Sequence, residues 1–201
     1  MKSGRRAALF LIAAAALGCG SKGKGRAERQ VVQAFGHEWT VLGGVWEPQG
    51  SGAIVGQGGV LQSIDAFGDG VIDVDVELIS GPPDRDTGVA FRYGAAGGDM
   101  NRGSGYGFNF NFARAQRLVK GQQGQWSTIV ATPPVVPGLA DKLNHVHVVM
   151  KGAELEVSVN GQAPARFTDT MTPVGTVSFW VEGLAQRVRF ANFKFTRFEK
   201  R

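Results

Sequence analysis

Cysteine is nearly missing from this chain: Cys19 is the single one in 201 residues. No intramolecular disulfide, cysteine-based zinc site or thiol redox pair can form, so packing must hold the fold. Charge of one sign is scarce too. The formal balance is +5, but three of the 22 basic residues (Lys2, Arg5, Arg6) lie in an N-terminal stretch that reads as a removable leader, leaving 19 against 17 acidic. Such a body lacks the basic excess of a nucleic-acid binder, and no nucleic-acid partner is expected. No long helical period and no repeat of fixed length occurs, which excludes helical bundles, propellers and solenoids. Gly-x-Ser-x-Gly, His-Glu-x-x-His and a phosphate-binding glycine loop are absent, so serine-hydrolase, zinc-protease and nucleotide readings have no foothold. Glycine and aromatics are plentiful instead. Thirty Gly, thirteen Phe and four Trp, with 43% hydrophobic residues, suit one turn-rich domain with a real core.

Residues 1–18 have a basic start followed by eleven apolar residues, Ala7 to Leu17. That run is well short of the roughly 20 residues a membrane helix needs, so it reads as a signal peptide. Ala16-Leu17-Gly18-Cys19 resembles the lipobox of bacterial lipoproteins, with Leu one place later than is usual there. The resemblance implies that Cys19 is acylated, becomes the first mature residue and anchors the protein at the bacterial cell envelope, facing the periplasm or the exterior. An ordinary secretory signal with an incidental cysteine is the plainer alternative. Residues 20–26 alternate glycine with cations and suit a flexible tether. Ala27 to Phe35 is a short helical candidate, which places the tether and N-terminal segment at 19–35 and the main domain at 36–201.

Within that domain the dominant period is two. Ile72, Val74, Val76 and Leu78 alternate with Asp73, Asp75 and Glu77; Phe108, Phe110 and Phe112 with Asn109 and Asn111; Leu155, Val157 and Val159 with Glu154, Glu156 and Ser158. Further strands are expected over 87–93, 117–120, 126–131, 146–150, 174–181 and 188–198. Asn160-Gly161 carries the pair favoured by a two-residue hairpin, where both central residues take positive φ. Ten to twelve antiparallel strands predict an all-β, two-sheet jelly-roll sandwich, with a closed barrel as the alternative.

Gly88-Val-Ala-Phe-Arg-Tyr93, Gly105-Tyr-Gly-Phe108, Trp126, Asn144-His-Val-His-Val148, Lys151 to Gly161, Gly175 to Phe179 and Val188 to Phe195 follow in an order that resembles concanavalin A-like and laminin-G-like jelly rolls. The same succession is similar to bacterial 3-keto-disaccharide hydrolase-like domains. Folds of this kind host lectins and enzymes alike, so the resemblance implies an architecture more firmly than an activity. It also implies that ligands lie on the outer face of a curved sheet.

Residues beside the inward-pointing positions are the ligand candidates: Arg92, Tyr93, Tyr106, Asn109, Asn111, Trp180 and Glu182. Aromatic plates with Arg, Asn and Glu suit a sugar, since one covers the apolar ring face and the others bond hydroxyls; ordinary solvent-facing positions have the same composition. Asp73-Val-Asp75-Val-Glu77 resembles the Glu-x-Asp-x-Glu strand of jelly-roll β-glucanases. Its outer acids, however, sit about 13 Å apart along a strand, and the first is shortened. A solvated face fits better. His145 and His147 share a strand face and could exchange protons or hold a metal, with Glu182 as a further catalytic candidate; His37 is the remaining histidine. Asp84, Asp86, Asp99 and Asn101 in glycine-rich loops offer oxygen ligands for Ca²⁺, though such residues are also common turn formers. The expected function is binding of a carbohydrate or similar polar envelope ligand. A glycoside-processing hydrolase and a structural protein-binding lipoprotein are the alternatives.

Overall fold

Alternation becomes strand wherever one face can be covered. In the computed structural model, which describes residues 29–94, 103–132 and 135–199, fifteen antiparallel strands form two sheets. The eight-stranded sheet contains β1 (Val31–Ala34), β2 (His37–Val41), β5 (Gly59–Ser63), β14 (Thr176–Val181), β7 (Thr87–Gly94), β8 (Ser104–Phe110), β9 (Gln116–Gln122) and β10 (Gln125–Thr128), in that spatial order. The seven-stranded sheet runs β13 (Ala165–Thr168), β12 (Glu154–Val159), β11 (Leu143–Lys151), β6 (Gly70–Ser80), β15 (Arg187–Arg197), β4 (Ala53–Gln57), β3 (Val45–Pro48). This is the expected two-sheet sandwich, and the order shows no closure into a barrel.

The inner faces interdigitate through aromatic rings. Trp39 on β2 stacks on Phe179 of β14 at 4.9 Å, and Phe179 stacks on Phe190 of β15 at 4.6 Å, so one column ties the sheets together. Ile72, Val74 and Val76 on β6, with Val146, Val148 and Met150 on β11, supply the aliphatic floor, all fully buried.

Two local expectations are corrected. The helical candidate 27–35 contains strand β1, which pairs with β2 from Val31↔Thr40 to Ala34↔His37, so the sandwich begins before residue 36. Phe35 and Gly36 both take positive φ (57° and 76°) and make the two-residue turn of a hairpin; β-branched Val31 and Val32 and the burial of Val32 and Ala34 fit a strand. Asn160 and Gly161 do take positive φ (53° and 70°). They do not close a two-residue hairpin, however, because β12 and β13 are joined by residues 160–164 and pair from Val157↔Ala165.

Candidate functional site

The outer face of the eight-stranded sheet carries a cleft of about 380 Å³. Its walls are two indoles. Trp180 lies between the inward Phe179 and Val181, and its cross-strand partner on β7 is Gly88, where a Cβ would meet the indole Nε1 at 2.5 Å. Trp126 pairs with Gly121, whose missing side chain leaves room for the ring; a Cβ there would sit 3.0 Å from indole carbons. The register that aligns Trp126 with Gly121 is set by the β9–β10 turn, in which Gln123 and Gly124 both have positive φ. Between the indoles lie Asn109, Arg117, Ser127 and Thr128. The Arg117 guanidinium is held by the Asp86 carboxylate at 2.8 Å.

The seven ligand candidates separate on this frame. Trp180 and Asn109 line the cleft. Arg92 does not. A bulge interrupts the β7–β8 pairing between Phe91 and Gly94, and Arg92 takes φ 47°, which breaks the alternation that pointed it outward. Its guanidinium is 1% exposed and reaches Asp69 Oδ1 and the Gly152 carbonyl, each at 2.7 Å, at the strand ends of the opposite sheet. The same extra residue turns Tyr93 to the cleft side, where it is fully buried and stacks under Trp126 at 5.8 Å and 9°. Tyr93 supports a wall without touching the space. Tyr106 belongs to the core.

Asn111 and Glu182 are loop staples. Asn111 is buried; its Nδ2 donates to the Asp84 carbonyl and the Asp86 carboxylate, and its Oδ1 accepts from the Ala115 N–H. Glu182 accepts the Asp86 N–H at 2.9 Å and returns its own N–H to the Asp86 carbonyl. With both Asp86 carboxylate oxygens committed to Asn111 and Arg117, this loop does not present that acid to Ca²⁺. Asp99 and Asn101 lie outside the described residues.

Trp126, Arg117, Ser127 and Thr128 are cleft residues absent from the candidates that the sequence offers. The available signal was a tryptophan next to the Gln123-Gly124 turn, in register with a glycine.

At one end of the sandwich the Tyr106 hydroxyl donates to Asp169 Oδ1 at 2.7 Å and Lys120 reaches Oδ2 at 3.0 Å. Burial pushes the Tyr106 hydroxyl above its usual value, and the adjacent Asp169 carboxylate adds to the rise. Burial alone would raise Asp169, but the Tyr106 hydroxyl, the Met171 N–H and Lys120 outweigh it and hold the carboxyl below its ordinary range.

The acidic strand and the histidines meet on the other side of the molecule, on the outer face of the seven-stranded sheet. There β11 pairs with β6, so that His145 opposes Asp75 and His147 opposes Asp73. His145 Nδ1 lies 2.7 Å from Asp75 Oδ1, and His147 Nδ1 lies 2.7 Å from Asp73 Oδ1. Glu77 is engaged by Arg189 at 3.4 Å. His37 is not part of this group: it pairs with Asp65 and packs edge-on to Phe67.

Residues 33–196 match the family described as the 3-keto-alpha-glucoside-1,2-lyase-like domain. No curated protein matches the chain. Among solved structures, carbohydrate-binding module CBM66 from Bacillus subtilis is similar at 16% identity and TM-score 0.59, over 77% of this chain and 92% of that one. A Bacillus subtilis protein of unknown function with a galectin-like fold matches at 14% identity and TM-score 0.53, over 80% and 90%. Bacillus licheniformis β-glucanase matches at 10% identity and TM-score 0.53, over 88% and 95%. At these identities the likeness is one of fold.

Proposed function

The chain belongs to the 3-keto-alpha-glucoside-1,2-lyase-like domain family, and from that premise we propose that its cleft binds a saccharide on an exported, lipid-anchored protein of the bacterial cell envelope. The observation that carries the reading is the pair of indoles, Trp126 and Trp180, flanking Asn109 and Arg117 on one sheet face. Indole faces cover the C–H side of a pyranose, while the amide and guanidinium bond its hydroxyls with fixed geometry. A carbohydrate-binding module among the structural neighbours supports the same reading. Anchoring rests on Lys2, Arg5 and Arg6, the apolar run and Cys19.

The family description favours a second reading, elimination at a 3-keto-glucoside. Abstraction of a proton beside a carbonyl needs a base within hydrogen-bond reach. The described cleft lining contains no Asp, Glu, His, Lys or Tyr, which supports binding over turnover. Calorimetry with α-glucosides and their 3-keto forms tests both. Saturable binding without product supports the proposal; lyase turnover overturns it in favour of the enzyme, and failure of every saccharide to bind removes both.

A further inference from the structure

The outer face of the seven-stranded sheet, remote from the cleft, holds an arrangement that no saccharide role requires. His145 and His147 on β11 and Asp73 on β6 bring one ligand atom each to within 4.8 Å of one another. We propose that these three side chains form a binding site for a divalent transition metal of the zinc class, with water completing the shell.

Three features carry the assignment. The first is spacing. Bonds of about 2.0–2.1 Å to a tetrahedral ion put neighbouring ligand atoms roughly 3.3 Å apart. His145 Nε2 lies 3.3 Å from Asp73 Oδ1. His147 Nδ1, at 2.7 Å from the same oxygen, must open by roughly half an ångström as the ion replaces the bridging proton.

The second is the support behind one ligand. His145 Nδ1 is bound by the Asp75 carboxylate, and Asp75 Oδ2 in turn accepts from Asn192 Nδ2 at 2.7 Å. A carboxylate on one ring nitrogen fixes the imidazole so that the other is free to ligate, the arrangement common behind zinc-bound histidines. Asn192 reaches this position because β15 bulges between Ala191 and Lys194, with Asn192 at φ 55°. A merely solvated strand face has no need of that chain of partners.

The third is donor chemistry. Two imidazoles and one carboxylate suit zinc, nickel or copper, whereas Ca²⁺ and Mg²⁺ prefer all-oxygen shells. Asp73 and Asp75 balance the charge of the ion, and all three ligands stay partly exposed, which leaves room for entry and for water. Lys194, the register partner of Asp73 on β15, brings an opposing charge to the same face and tempers the affinity.

Titration calorimetry of tagless protein with ZnCl₂ tests the site, with CaCl₂ as the contrast. One zinc per chain is expected, with Ca²⁺ at least 100-fold weaker. His145→Ala and His147→Ala should each weaken zinc binding at least tenfold. Asp75→Asn, which leaves all three ligands in place, should weaken it by about 10- to 100-fold through loss of the supporting carboxylate. Circular dichroism confirms that each variant is folded, and the exposed histidine variants and the isosteric Asn variant report independently should one fail. No zinc binding, or zinc binding that the histidine variants leave unchanged, overturns the proposal.

Discussion

Arg92 offers the sharpest test of the reasoning, because strand alternation and the structure assign it opposite roles. If it fixes a ligand, its loss lowers affinity and spares stability. If it braces the sheets, stability falls first. The guanidinium is 1% exposed and makes two charge-assisted bonds at 2.7 Å, one to Asp69 and one to the Gly152 carbonyl, while its Nε has no partner among the described residues. Hydrogen bonds to charged groups contribute about 1.5–3 kcal/mol each. Removing one partner of a fully buried pair typically costs about 3–5 kcal/mol, but Asp69 is half exposed, so water can partly replace it.

Asp69→Ala should therefore cost about 2–3 kcal/mol, since it strands the buried cation and also removes the acceptor of the Gly152 N–H. Arg92→Met should cost less, about 0–2 kcal/mol, because the stem still packs and no charge is left behind. Met, like Arg, bears the strain of φ 47°, so that contribution cancels. Thermal unfolding reads the difference: for a chain of this size each kcal/mol moves Tm by about 2–4 °C. Asp69→Ala should melt below Arg92→Met, and both should bind saccharide as well as the parent at temperatures where they are folded. Unchanged Tm in Asp69→Ala, or selective loss of binding in Arg92→Met, refutes the brace.

Trp126→Ala and Trp180→Ala should each weaken saccharide binding by about 1–2 kcal/mol, roughly 5- to 30-fold, by calorimetry. Gly121→Val should do the same through shape alone, by lifting the Trp126 ring off β9, and the far-ultraviolet spectrum should not change. Folded Asp169 has its carboxyl held below the ordinary aspartate range, so its stabilisation is complete above that range and is lost as pH falls through the lower folded value; Asp169→Asn should flatten urea stability across that acid window. Cys19→Ser should release the protein from the membrane fraction or leave the leader uncleaved; unchanged partitioning and processing refute lipidation.

Strands with strict alternation were legible because burial on one face leaves a period of two that no other element shares. β6, β11 and β12 appear within a few residues of their expected bounds. Alternation was silent about bulges, since an inserted residue changes which face a side chain takes without changing composition. That is how Arg92, expected on the outer face, comes to reach the opposite sheet. β1 was misread because four residues are too few to separate a helical from a strand period, and the decisive signal lay in the Phe35-Gly36 turn that follows.

The sites show a second limit. A period places a residue on a face of its strand, but it does not say which sheet that strand joins. Asp73 and Asp75 are legible as a solvated strand face and His145 and His147 as sharing a face of another strand, and the acidic strand even resembles a catalytic one. Only the pairing of β6 with β11 makes two separate motifs into one cluster, and only the sheet order puts that cluster on the side away from Trp126 and Trp180. The cleft depends on pairing in the same way. Gly88 and Gly121 matter because of the tryptophans opposite them, Trp180 on a strand about ninety residues later and Trp126 across a short turn. A residue's chemistry can thus be read in one dimension, whereas a site requires the register that brings separate strands side by side.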